Sequence, residues 1–159
     1  MSLQINDNAP LFSAQTDSSG SFELSSVKGK WVVLYFYPKD NTSGCTQEAC
    51  DFRDNMHRLS AMDAVIIGIS PDSPKSHDSF KAKQKLNFIL VSDEDKSICE
   101  KYFVWTEKTM YGKKYMGVLR STFIIDPDGL IRYIYPKVSV GGHVENVMNT
   151  LKELQKSGK

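Results

Sequence analysis

Cysteine, histidine and tryptophan are scarce in this chain: three, three and two among 159 residues. Each scarcity excludes something. The cysteines, Cys45, Cys50 and Cys99, are too few and too scattered for the disulfide framework of a small secreted domain. They do not supply the four spaced ligands of a zinc module. His57, His77 and His143 match no metal-ligand spacing either, and are expected at the surface or partly packed. No metal site is therefore expected. There is no surplus of one charge: 20 basic against 19 acidic residues leave a net charge of +1. That argues against a chain built to coat nucleic acid or an anionic membrane. No apolar run approaches the roughly 18 residues of a membrane span; the longest, Trp31–Tyr37 and Ala64–Ile69, are strand-sized. Met1 to Pro10 has neither a basic nor an apolar leader region, so no secretory signal is expected. The expected location is the cytoplasm, where thiols stay reduced and cysteines are catalytic, redox-active or merely buried.

No repeat, low-complexity block or Pro/Gly/Ser-rich linker interrupts the chain, which predicts a single domain over residues 1–159. With 40% hydrophobic and 25% charged residues, its composition is that of an ordinary globular protein. Leu11–Thr16 and Ser21–Leu24, separated by Asp17-Ser18-Ser19-Gly20, read as two short strands. Trp31–Tyr37 is a continuous β-branched and aromatic run, the signature of a strand buried on both faces; Pro38 stops it. Phe52, Met56 and Leu59 recur at helical spacing and predict a helix from Gly44 to about Leu59. Ala64–Ile69 and Phe88–Val91 are further buried strands. Ser73-Pro74 opens a helix between them, serine as cap and proline at the first position. A short helix is expected from Asp95 to about Phe103. Ser121–Ile125 and Ile131–Tyr135 flank Asp126-Pro127-Asp128-Gly129, the residues of a type I turn, and form a hairpin. A last helix starts near Gly142, with Val144, Val147, Met148 and Leu151 on one face. Strands alternating with helices, then a hairpin and a closing helix, make a mixed α/β sandwich with helices on both faces of a central sheet.

The segment from Tyr37 to Cys50 carries the chemistry. A buried strand ends, a polar loop follows, and Cys45 falls in the first turn of a helix. Unpaired backbone N–H groups and the helix dipole meet there, a setting that favours the ionised form of a thiol. Cys50 lies five residues on. Ideal helix geometry puts such residues about 140° apart around the axis and ~8–9 Å apart at Cα, beyond the ~7 Å that a disulfide tolerates. A Cys45–Cys50 bond therefore requires the first turn and a half to unwind, and helix ends open at low cost. On these residues alone, two small packing cysteines remain an equal reading.

The pattern Tyr37-Pro38-Lys39-Asp40, Thr42, Gly44-Cys45-Thr46, Glu48-Ala49-Cys50 resembles the peroxiredoxins, in particular the bacterioferritin-comigratory/PrxQ subfamily. Arg120 just before Ser121-Thr122-Phe123-Ile124-Ile125-Asp126, and Asn8-Ala9-Pro10 with Phe12, extend the resemblance over nearly the whole chain. It implies a thioredoxin-like fold and a thiol peroxidase that needs no metal, haem, flavin or other cofactor. Cys45 would be the peroxidatic cysteine, attacking hydrogen peroxide or an organic hydroperoxide and becoming a sulfenic acid. Thr42 would offer its hydroxyl to peroxide and sulfur, Arg120 would hold the thiolate and the peroxide oxygens, and Pro38 would shield the sulfur from water, with Gly44 also in the substrate pocket. Cys50 would resolve the sulfenic acid to an intramolecular disulfide, reduced in turn by thioredoxin or a similar thiol. The subfamily suggests a monomer. One departure is Ser43, where the family usually has proline; it implies a more mobile loop or a helix that starts one residue differently.

The plainer readings stand beside these. Arg120 and Thr42 taken singly are a surface ion-pair partner and a loop threonine. Glu48 reads as a first-turn acid favoured by the dipole, with a supporting role in the site as the sharper alternative. Cys99 is expected to pack rather than to act as a second resolving thiol, and Phe103 and Trp105 are candidates for the site's mouth. Two other functions compete: a thioredoxin-type disulfide oxidoreductase, disfavoured because no Cys-x-x-Cys is present, and a peroxide sensor that relays its disulfide to a partner by the same chemistry.

Overall fold

The computed structural model describes residues 2–18 and 20–157; Ser19 of the first expected turn and the ends of the expected 1–159 domain lie outside them. At the centre is a five-stranded sheet of order β5-β4-β3-β8-β9. Its middle strand is β3 (Trp31–Phe36), buried at every position. The apolar run 31–37 has no polar face because both sides of this strand are covered. Strands β4 (Ala64–Ser70) and β5 (Ile89–Ser92) extend the sheet parallel to β3, while β8 (Ser121–Ile125) and β9 (Ile131–Tyr135) pair antiparallel on its other side. A β1–β2 hairpin (Ser13–Gln15, Ser21–Glu23) lies apart from this sheet. The Asp126–Gly129 turn closes as expected, Gly129 N–H donating to the Asp126 carbonyl at 2.9 Å.

Alternation along β3 divides the core. Val33 and Tyr35 point to the face covered by α1 (Ser43–Asp54), α2 (Met56–Ala61), α3 (Pro74–Gln84) and α5 (His143–Ser157), through Phe52, Leu59, Phe80, Val147 and Leu151. Val32, Leu34 and Phe36 point to the other face, covered by α4 (Ser97–Lys101) and the β1–β2 hairpin through Ile98, Tyr102, Phe12 and Phe22. Helices do lie on both faces. Ser73 caps α3, accepting from the Ser76 N–H at 3.1 Å, with Pro74 in its first turn.

Three expectations need correction. The helix expected over 44–59 is two helices, broken at Asn55. The Asn55 side-chain amide donates to the Asp51 carbonyl at 2.8 Å, taking the acceptor that a helical N–H would use and ending the turn. The expected helix over 95–103 contracts to α4. A hairpin of β6 (Trp105–Met110) and β7 (Lys113–Val118) was not foreseen. Its turn puts Tyr111 and Gly112 at φ +54° and +78°, the twist of a two-residue hairpin loop. Its largely exposed, Lys- and Thr-rich strands carry no clean apolar alternation.

Candidate active site

The pairing register assembles the site. Phe36 on β3 pairs with Ser121 on β8, so the loop leaving β3 toward α1 emerges beside Arg120. Strands β4 and β5 end at the same edge, which delivers Ser70, Asp72 and Ser92 there. The carboxyl ends of parallel strands are where α/β sheets place ligands.

Cys45 sits in the first turn of α1 and is 1% exposed. The helix starts at Ser43, with Thr42 as its cap residue and the Thr46 N–H donating to the Thr42 carbonyl at 2.8 Å. Ser43 thus takes the first helical position, where proline is also tolerated. Arg120 Nη2 donates to Cys45 Sγ at 3.3 Å, and Arg120 Nη1 donates to Glu48 Oε1 at 2.6 Å. One guanidinium therefore spans the thiol and a carboxylate three residues further along the same helix face. Gly44 permits this approach: a Cβ there would lie 3.2 Å from Arg120 Nη2.

Glu48 is not the first-turn acid of the plainer reading; it lies beyond the first turn of α1 and is fully buried. Burial pushes its pKa up and Arg120 pulls it back, leaving it at about 7. Its Oε2 and the Tyr35 hydroxyl are buried with no hydrogen-bond partner among the described residues. Thr42 is exposed, and its hydroxyl donates to the Lys39 carbonyl at 2.9 Å rather than to the sulfur. Pro38 is half-buried where β3 gives way to the loop.

Cys45, Cys50 and Cys99 are all free thiols. Cys50 is half-buried on the continuing helix and donates to Gln84 Oε1 at 3.6 Å. Cys99 packs into the opposite face of the sheet, with Ile98 and Tyr102. Burial, then Asp93, raises its pKa well above the ordinary thiol value. Packing is what this position shows.

Two of the histidines expected at the surface or partly packed are fully buried. His143 accepts or donates at Nε2 to the Thr122 hydroxyl, 2.8 Å away, under the rings of Phe52 and Tyr135. Burial and then the Arg120 charge lower its pKa to about 4, so it is neutral at pH 7. His77 lies between two acceptors, Asp40 Oδ2 at 2.8 Å from Nδ1 and the Val91 carbonyl at 3.0 Å from Nε2. Asp40 also accepts from the hydroxyls of Tyr37 (2.6 Å) and Ser76 (2.8 Å), and its N–H donates to Asp72 (2.8 Å). An imidazole facing two acceptors satisfies both only when doubly protonated. Burial opposes the charge, but the Asp40 hydrogen bond and charge outweigh it and raise the pKa above 6.5. This buried ion pair fastens the loop that carries Pro38 and Thr42 to α3 and β5.

Since the folded pKa is the higher one, the His77 contribution to stability is complete below about pH 6.5 and declines as pH rises through the folded value. His77→Gln is expected to cost about 3 kcal/mol near pH 6, because Asp40 is left buried with two hydroxyl donors but no cation. Urea unfolding should show a smaller cost near pH 9; an equal cost at both would mean an uncharged ring.

Lys108, on β6, was also missed. Its stem lies close against Gly117 of β7, and its pKa is lowered by burial and by the Arg120 charge while Cys45 raises it. A second cation therefore lies within electrostatic reach of the thiol. Only knowledge of the β6–β7 pairing would have found it.

The AhpC/TSA family pattern matches residues 5–134. The chain is 50% identical over 151 residues to the putative peroxiredoxin bcp of Coxiella burnetii, covering 95% of this chain and 100% of that one. It is 46% identical over 154 residues to peroxiredoxin Bcp of Bacillus subtilis, covering 97% and 98%. A cysteine-to-serine mutant of Xylella fastidiosa PrxQ superposes with a TM-score of 0.91 at 40% identity, covering 96% and 98%. The Xanthomonas campestris bacterioferritin comigratory protein, solved as a trapped intermediate/ligand complex to examine its alkyl peroxide reduction, does so at 0.85 and 42% identity, covering 89% and 90%.

Proposed function

The chain belongs to the AhpC/TSA family, as a peroxiredoxin of the Bcp/PrxQ type and hence a thiol-dependent peroxidase; from that premise we propose that Cys45 is its peroxidatic thiol and Cys50 its resolving thiol. The carrying observation is Cys45 Sγ in the first turn of α1 with Arg120 Nη2 at 3.3 Å. The Cys45 thiolate attacks one peroxide oxygen. A sulfur–oxygen bond forms, the oxygen–oxygen bond breaks, and the departing hydroxide or alkoxide takes up the proton that the thiol released and leaves as water or an alcohol, giving a sulfenic acid. Arg120 stabilises the thiolate beforehand and the charge that develops on the peroxide oxygens. Glu48 holds the guanidinium from its other side. Gly44 lets it approach, and Pro38 keeps water from the sulfur. Thr42 turns its hydroxyl from the Lys39 carbonyl to the incoming peroxide.

The Cys50 thiol then attacks the sulfenic sulfur and water leaves. The resulting disulfide requires the first turns of α1 to unwind, since both thiols here lie on one intact helix. An external dithiol, thioredoxin or a similar reductant, restores the two thiols. Hydrogen peroxide and organic hydroperoxides are both substrates in this reading, and the named alkyl peroxide activity of the Xanthomonas relative supports the second. The cycle needs no metal, because sulfur carries the electrons. A cytoplasmic monomer is the setting we infer; among the described residues no helix is long and apolar enough to cross a membrane.

The test is a tryptic mass map after one equivalent of hydrogen peroxide. Lys39 and Arg53 bracket one peptide, Asp40–Arg53, that holds both thiols. It is expected to lose two hydrogens. A cross-link to the Cys99 peptide would move the resolving role there, and an unchanged peptide would refute the assignment.

A further inference from the structure

The second half of α1 is fastened to the end of α3 at a single residue, Gln84. Cys50 Sγ donates to its side-chain oxygen at 3.6 Å, and Arg53 Nη1 donates to its main-chain carbonyl at 2.6 Å. Asn87 Nδ2 reaches back to the Arg53 carbonyl at 3.4 Å. Gln84 is the last residue of α3, and Lys85 follows in the left-handed conformation at φ +53°. The Gln84 carbonyl is thus one of those that a helix end leaves open. A guanidinium there satisfies it and complements the negative end of the helix. Arg53 in turn is the penultimate residue of α1, two residues before the Asn55 break. The resolving thiol is therefore held between an anchor at each end of its helix: Arg120 with Glu48 in the first turns, and Gln84 with Arg53 in the last.

We infer that Gln84 and Arg53 form a latch that keeps Cys50 on the folded helix and so sets how fast it reaches oxidised Cys45. The inference rests on the reading of Cys45 and Cys50 given above. Both latch residues are positioning residues. With the latch closed, the Cys45 sulfenic acid persists and a second peroxide converts it to the sulfinic acid: another sulfur–oxygen bond forms, the oxygen–oxygen bond breaks, and water or an alcohol leaves. That product is inactive toward disulfides. With the latch open, Cys50 sulfur bonds to Cys45 sulfur, the sulfur–oxygen bond breaks and water leaves. The latch thereby partitions the sulfenic acid between recycling and loss.

Gln84→Ala and Arg53→Gln test this, with Gln84→Glu as the conservative variant that keeps an acceptor for Cys50. Each is mixed with one equivalent of hydrogen peroxide, quenched with an alkylating reagent, and followed by intact mass. Sulfenic acid appears as one added oxygen and the disulfide as the loss of two hydrogens. Conversion of sulfenic acid to disulfide is expected to quicken about threefold in Gln84→Ala, which loses a weak S–H bond, and about tenfold in Arg53→Gln, which loses a charge-assisted one. Gln84→Glu should restore the wild-type rate. The first step should be unchanged, and the sulfinic yield under excess peroxide should fall in proportion to the faster conversion. Unchanged conversion in both variants overturns the latch, as does a first step slowed in parallel, which would mark these residues as mere supports of the fold. A wild-type protein that forms no Cys45–Cys50 disulfide overturns the underlying assignment and the latch with it.

Discussion

Cys45→Ser is expected to abolish peroxide consumption, with a loss of at least about 10⁴-fold, the scale on which removing a covalent nucleophile acts. The substitution changes one atom in a site that is already closed. Serine fits the 1%-exposed position without opening a cavity, so α1, Glu48 and Arg120 keep their places. What disappears is the only thiol among the described residues that Arg120 touches. A serine hydroxyl is not appreciably ionised near neutral pH without a base to take its proton, and the group that contacts this position is the Arg120 guanidinium, which accepts none. Cys50 offers no substitute. It is hydrogen-bonded to Gln84, on the far side of the helix turn from the guanidinium. Peroxide loss in the presence of a reducing system, with circular dichroism to confirm the fold, checks this. Retained activity would mean that the nucleophile lies elsewhere, and the role of every other residue in the site would have to be reassigned.

How much of this was legible in the chain depends on the distance over which each contact acts. The central strand, the flanking strands and the Asp126–Gly129 turn follow from patterns a few residues long, and they stand where the patterns put them. Cys45 at a helix start is of the same kind, since strand, loop and first turn are contiguous. Arg120 is different. It lies 75 residues from Cys45, and only the resemblance paired them; the structure adds the register of β3 on β8 that makes the pairing unavoidable. Glu48 was ambiguous because position on a helix tells the dipole's preference but not which face is buried. His77 was misread for the same reason. Nothing near it in the chain signals that Asp40, 37 residues earlier, supplies the opposite charge. The broken helix at Asn55 and the β6–β7 hairpin failed differently. In one, a side chain outcompetes the backbone. In the other, strand pairing is sustained without an apolar stripe. Gln84 carries no motif at all, and its role emerges only where the ends of α1 and α3 meet.

The second large effect is expected at Arg120. Arg120→Ala should slow sulfenic acid formation by about 10²–10³-fold, the usual consequence of removing one preorganised donor from a developing charge. The later Cys50 step should still proceed, at least as fast as in the wild type, since one anchor of the helix is lost. The substitution should also destabilise the fold by about 1–3 kcal/mol, because Glu48 is then a buried carboxyl that has lost its hydrogen-bond partner. The two effects have separate origins and can be separated. In the double variant Arg120→Ala/Glu48→Leu the unpartnered buried carboxyl is gone, so most of the stability should return while the first step stays slow. Arg120→Lys should recover little of the rate. A single ammonium lacks the rigid fork of donors with which the guanidinium meets Glu48 Oε1 and Cys45 Sγ at 2.6 and 3.3 Å. Single-turnover kinetics and urea unfolding on the same three variants supply both readouts. If stability and rate returned together in the double variant, Arg120 would be acting through the fold, and the electrostatic role assigned to it at the sulfur would be wrong.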